Sequence, residues 1–261
     1  MSFRVNLPEP FGRRLAAAGT PLTGLWVCSG SPAMAEIMAC SGADWLLIDG
    51  EHSPIGLETI ADLLRAVAAY PATPVVRVPV LDTALIKQYL DLGAQSIMVP
   101  MVHTRQDAET AVAAMHYPPR GVRGVGSALA RSSRWNAVPD YLGTASDTVS
   151  CVVQIESLQA VENAAEIASV DGVDAVFIGP SDLAASMGVI GQQSHPEVLD
   201  AVSRAMRAAK DAGTFVGVNA FDTDQARRYL EAGADFVNIG ADVQLAATAS
   251  RRLLGDFTRE G

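Results

Sequence analysis

Short runs dense in aliphatic and β-branched residues recur along the chain. Each is followed by a longer stretch whose apolar residues fall three and four apart. The runs are LTGLWV (22–27), DWLLID (44–49), PVVRV (74–78), SIMVP (96–100), CVVQIE (151–156), DAVFIG (174–179), FVGVN (215–219) and DFVNIG (235–240). Segments between them, such as GLETIADLLRAVAAY, DTALIKQYLDLG and TDQARRYLEAG, carry helical spacing, and several close on the glycine that helix C-termini favour. Strand alternating with helix predicts a parallel sheet, because each crossover covers a face. Eight such units predict an α/β fold, a (β/α)8 TIM barrel formed as one domain over residues 1–261. A doubly wound sheet is the alternative, but no GxGxxG follows the first strand; GVRGVG at 121–126 has a similar rhythm and sits in a loop.

One connection is longer than the pattern requires. Residues 117–149 carry Arg120, Arg123, Arg131 and Arg134, with no acidic residue before Asp140. A long loop in a compact domain is more often functional than idle, so this one is expected to bind an anion or cover the active site. A surface excursion, or an oligomer contact, is the other reading.

Composition then narrows the partners. The chain is 49% apolar and 18% charged, enough to bury a sizeable core, and its formal charge of −10 disfavours nucleic acid or an anionic membrane as partner. Three scattered cysteines, Cys28, Cys40 and Cys151, form no CxxC pair and fit free thiols in a reducing cytoplasm. MSFRVNLPEPFGRR has no apolar leader core and no run approaches a membrane span, so a soluble cytoplasmic protein is expected.

A barrel of this kind works from the C-terminal ends of its strands. There the chain places Asp49, Glu51 and His52 after strand 2, Arg77 in strand 3, Gln154 and Glu156 at strand 5, Ser181 and Asp182 after strand 6, and Asn219 at strand 7. Glu156 and Asp182 at neighbouring strand mouths repel unless a cation lies between them. A hard divalent ion, Mg2+, Mn2+ or Co2+, would satisfy both, while helix capping or ion pairing is an equal competitor. Arg77 could hold a carboxylate or a developing oxyanion, or simply an ion pair with Asp49 or Glu51. His52 is the candidate general base, whereas His103, His116 and His195 lack acidic company and read as structural. The two lysines, Lys87 and Lys210, fall within helical patterns, which argues against imine chemistry.

DWLLIDGEHSP, PVVRVP, IKQYLDLGAQSIMVPMV, YPPRGVRGVGSALARSSRWN, VQIES and GVDAVFIGPSDLAASMG together resemble the class II pyruvate-dependent aldolases of the HpcH/HpaI type. The match runs in order along nearly the whole chain. It implies a barrel of the phosphoenolpyruvate/pyruvate type that reversibly cleaves a 4-hydroxy-2-oxo acid, such as 4-hydroxy-2-oxoheptanedioate, to pyruvate and an aldehyde through a metal-bound enolate. It also implies roles: Glu156 and Asp182 as metal ligands, with Gln154, Ser181, Asp182 and Arg123 at the substrate and Ser181 acting through its backbone. Arg77 would stabilise the enolate, His52 would be the base, Asp49 would orient its neighbours, and Asp91 would hydrogen-bond His52. A homohexamer, built as a dimer of trimers, is implied as well. GVNAFDTD (217–224) departs from the aliphatic stretch usual after strand 7, which bears on the aldehyde side. An acyl-CoA-ester lyase of a related barrel, or a catalytically silent binding module, are the alternatives.

Overall fold

Alternation of side chains along a parallel strand creates two separate apolar layers here, one inside a ring of strands and one outside it. The computed structural model describes residues 5–259, so the first four residues of the N-terminal stretch read above lie outside it. Its strands are β1 (Leu22–Val27), β2 (Trp45–Asp49), β3 (Thr73–Arg77), β4 (Ser96–Val99), β5 (Ser150–Ile155), β6 (Val173–Ile178), β7 (Phe215–Asn219) and β8 (Phe236–Ala241). They pair in sequence order, all parallel, and β8 returns to β1 to close the barrel. Strand positions read from the sequence agree to within a residue or so. Leu46, Ile48, Val76 and Ile97 face the helices, while Trp45, Leu47, Val75 and Met98 face the barrel axis.

Trp45 fills the axis. Its ring lies 5.2 Å from Phe11, 5.5 Å from Phe236 and 6.0 Å from Phe177, mostly edge to face. β1 passes close enough to that indole that a Cβ on Gly24 would overlap it, so glycine is required there. Phe11, fully buried, opens the helix Phe11–Ala17, which plugs the N-terminal end of the barrel. Its N–H donates to Ser96 Oγ and that of Gly12 to Ser150 Oγ, both at 2.9 Å; these serines begin β4 and β5. The helix closes the barrel axis at that end, while Asp49, Arg77 and Gln154 lie at the opposite rim.

Two features outside the barrel matter below. The last helix, Asp242–Arg259, is hardly covered: every described side chain from Val243 to Thr258 is exposed or half-buried. His116, in contrast, is buried beside the 117–149 segment, and burial, aided by Arg120 and Arg123, pulls its pKa down to about 4. Because the folded value lies below the ordinary 6.5, neutral His116 contributes stability above pH 6.5 that is lost as pH falls through about 4. Melting temperatures of a His116→Asn variant should therefore fall less steeply than wild type between those values. Parallel curves would refute this.

Candidate active site

The last inward-facing positions of the strands set the rim. Trp26, Asp49, Arg77, Gln154, Phe177 and Asn219 line one cavity of about 330 Å3, joined by His52, Ser181 and Asp182 from the loops beyond. A register shift between β1 and β8 sets Trp26 opposite Ala241, and both side chains face this cavity.

Arg77 is the hub. It is 3% exposed, donates from Nε to Asp49 Oδ1 at 2.9 Å and from Nη1 to Gln154 Oε1 at 3.3 Å. Its Nη1 also lies 2.6 Å from Glu51 Oε2, at an angle too poor for a hydrogen bond, so that oxygen is buried without a donor. The guanidinium sits 4.4 Å over the Trp26 ring, whose Nε1 donates to Asn219 Oδ1 at 3.0 Å. The fork is held flat on an indole and gripped by two carboxylates, so its orientation is fixed before any ligand arrives.

Asp49 ties the turn after β2. Its Oδ1 accepts from the backbone N–H of Glu51 at 3.0 Å and of His52 at 3.4 Å, and its Oδ2 from Ser53 Oγ at 3.2 Å. His52 projects outward, 67% exposed, with Nε2 3.9 Å from Glu51 Oε2. Burial raises the Glu51 carboxyl above its ordinary range, with Arg77 and His52 pulling it back.

Glu156 lies just behind the cavity wall and is 2% exposed. Met101 N–H donates to its Oε1 at 2.7 Å and Gln154 Nε2 to its Oε2 at 2.9 Å. Met101 reaches it from a left-handed conformation, φ 53°, which costs about 1 kcal/mol in a non-glycine residue. Gly179 leaves the space above: a Cβ there would come within 2.8 Å of Glu156 Oε2. Burial, with Asp182 and Glu51 adding repulsion, pushes the Glu156 pKa up to about 7. Asp182 is exposed in the first turn of the helix Pro180–Ser186.

This pair suits a hard cation. Among the described residues no three His, Cys, Asp or Glu side chains converge on a metal position. Two carboxylates, of which Glu156 is buried with no direct basic partner and destabilised by the charge of Asp182, nevertheless fit a divalent ion that completes its shell with water or substrate oxygens.

Comparison with known proteins decides the family. Residues 22–249 match the HpcH/HpaI aldolase/citrate lyase family. The chain belongs to this family. A hydroxypyruvate/pyruvate aldolase of Deinococcus radiodurans is 54% identical over 241 residues, covering 92% of this chain and 87% of that one. A 4-hydroxy-2-oxo-heptane-1,7-dioate aldolase of Salmonella dublin is 49% identical over 243 residues, covering 93% and 92%. Among solved structures, an HpcH/HpaI aldolase/citrate lyase family protein of Burkholderia cenocepacia superposes with a TM-score of 0.91 at 42% identity, covering 95% of this chain and 98% of that one.

Two expected site residues of this aldolase lie elsewhere in the chain, and so does the arginine loop. Asp91 ends the helix Thr83–Asp91, which runs back antiparallel to the strands, so it emerges near the closed end of the barrel. There its Oδ1 pairs with Arg123 Nη2 at 2.7 Å, and within one chain no hydrogen bond joins it to His52. Arg123 is likewise not at the cavity. It is 1% exposed, 4.6 Å over the Tyr117 ring, and spent on a buried ion pair. Nor is the arginine loop a lid over its own site. Arg131 and Arg134 line a different cavity, about 600 Å3, beside Thr73 and Ser96, the first residues of β3 and β4. A cationic path for a CoA diphosphate into this site is therefore not supplied by the loop of the same chain.

Trp26 is what the sequence reading missed. Its signal was present: it takes the last inward place in LTGLWV, two and four residues after Gly24 and Leu22.

Proposed function

We propose that this aldolase reversibly cleaves a 4-hydroxy-2-oxo acid to pyruvate and an aldehyde, with a divalent ion, Mg2+ or Mn2+, held by Glu156 and Asp182. The observation that carries the reading is Arg77, fixed by Asp49, Gln154 and Trp26, in the same cavity as His52 and Asp182. Such an ion supplies Lewis-acid polarisation of the 2-oxo group.

The protein's own groups do the rest. His52 accepts the proton of the 4-hydroxyl, and Glu51 beside it favours the resulting imidazolium. The C3–C4 bond breaks, the hydroxyl carbon becomes the aldehyde carbonyl, and the electron pair passes through C3 to the 2-oxo oxygen. Arg77 stabilises that developing enolate oxygen with N–H groups already oriented, so no reorganisation is needed at the moment of reaction. Protonation at C3 completes pyruvate. Gln154 donates to Glu156 and accepts from Arg77, which couples the anionic and cationic halves of the site. Ser181 borders the cavity where the 2-oxo acid would sit.

Pyruvate release from 4-hydroxy-2-oxo acids, one with a neutral hydroxylated chain beside 4-hydroxy-2-oxoheptanedioate, tests the reading. Activity should vanish on exhaustive chelation and return with Mn2+ or Mg2+, and His52→Ala should lower kcat by about 100-fold or more. Near-full activity after chelation would sink the metal assignment, and unchanged kinetics in the variant would sink the base.

We further propose a homohexamer, supported by the uncovered last helix, on which Leu253, Leu254 and Phe257 are 72%, 65% and 79% exposed. In it, Asp91 of one copy would meet His52 of another, since the fold separates them within a chain. A Leu253→Glu/Phe257→Glu variant should sediment as smaller species. Sedimentation identical to wild type would refute the role of this helix. A cytoplasmic location is supported by three unpaired cysteines.

A further inference from the structure

The site cavity has a neighbour of about 260 Å3, and Ser181, Asn219 and Phe221 line both. The orientation of Asn219 in this shared wall is fixed by chemistry. An indole N–H can only donate, so the atom facing Trp26 Nε1 at 3.0 Å must be the amide oxygen. The amide NH2 then makes no hydrogen bond among the described residues. Phe221 closes the wall edge-on to Trp26, with ring centroids 6.5 Å apart at 90°.

The neighbouring cavity mixes apolar walls, Pro180, Ala220 and Phe221 among them, with neutral polar groups, and lacks a cation. Gln193, Ser194 and Gln225 contribute neutral donors and acceptors, and no Lys, Arg or His lines it among the described residues. Its one charged lining residue, Asp222, is acidic and accepts from Gln225 N–H at 2.8 Å. A terminal carboxylate entering here would meet negative charge with nothing to pair it. An apolar tail would bury the Asn219 NH2 unpaired, which is the arrangement by which a polar site rejects an analogue lacking its hydroxyl.

We propose that Asn219 determines acceptor specificity by donating to a hydroxyl of the aldehyde, and that the adjoining cavity takes a neutral, hydroxylated aldehyde chain. This rests on the aldolase reading above and narrows its acceptor. In the direction of synthesis, C3 of the pyruvate enolate bonds to the aldehyde carbon and the aldehyde oxygen takes up a proton, so no further reactant is needed.

The test compares aldol addition of pyruvate to D-glyceraldehyde, to its hydroxyl-to-methyl isostere 2-methylbutanal, and to succinic semialdehyde. The quantity read is the ratio of kcat/KM for glyceraldehyde to that for 2-methylbutanal. Asn219→Leu should lower this ratio by about tenfold or more, mainly through the KM for glyceraldehyde. Comparing the two proteins cancels intrinsic reactivity, and taking the ratio within one preparation cancels partial unfolding; Asn219→Ala serves as the second variant. A ratio within about twofold of wild type in both variants would overturn the proposal, as would a wild-type preference for succinic semialdehyde. Exchange of pyruvate methyl protons with deuterium separates the two levels. Wild-type protein that exchanges them but shows no change of ratio on substitution overturns the acceptor assignment alone. Protein that neither exchanges them nor forms any aldol overturns the aldolase reading and this proposal with it.

Discussion

Replacing Arg77 with alanine is expected to lower kcat by about 100-fold or more, because a developing enolate oxygen would lose a preoriented cationic side chain. The guanidinium is 3% exposed and already held by Asp49 and Glu51, with the Trp26 ring beneath it. Removing it leaves two carboxylates facing each other without a counter-charge, so stability should fall as well, by about 3–5 kcal/mol for a broken buried pair. Melting the variant shows how much is still folded at the assay temperature. Arg77→Lys separates charge from shape. Its ammonium cannot span Asp49, Glu51 and Gln154 in one plane, so turnover should stay at least about tenfold below wild type. Arg77→Ala with kcat within about threefold of wild type would falsify the assignment.

Glu156→Gln should do two opposite things. With saturating Mn2+ or Mg2+ the variant should lose roughly 1,000-fold in turnover, the several kcal/mol a Lewis acid contributes, and calorimetry should find Mn2+ binding lost. Without metal, the substitution should become more favourable to stability as pH rises. The native carboxyl titrates at about 7 against an ordinary 4.5, so its contribution is intact below 4.5 and lost as pH passes through 7. Glutamine has no such ionisation. The melting temperature of the variant minus that of wild type should therefore increase from about pH 5 to pH 8. Some gain is offset, because the new amide NH2 would face Gln154 Nε2 if its oxygen kept the Met101 bond. A flat difference across that range would show that burial does not strain Glu156, and tight Mn2+ binding by the variant would remove it from the ligand set.

Much of this barrel was readable because its determinants are local. The apolar runs at 44–49 and 174–179 had to be strands, since short β-branched and aliphatic stretches flanked by helical spacing bury best in a parallel sheet. Arg77 and Gln154 stood out for a similar reason: a polar side chain inside an apolar strand is costly unless the fold gives it partners. The helix cap was also a fair competitor at GPSDLAAS, yet Asp182 caps nothing in the structure and lines the cavity instead.

By itself, the sequence determined the strand count and the rim on which polar residues gather, because period and burial act over a few residues. Tertiary structure alone decided what those residues touch. It set Asp49 and Glu51 on Arg77, put Trp26 beneath it, and turned Asn219 so that its NH2 is unspent among the described residues. It also placed Asp91, Arg123 and the arginine loop away from the rim of their own chain, where the family resemblance implied Asp91 and Arg123. The reason is geometric: inward and outward positions follow from strand alternation, but which end of the barrel a helix or loop reaches depends on the antiparallel return of each crossover, which no local pattern records.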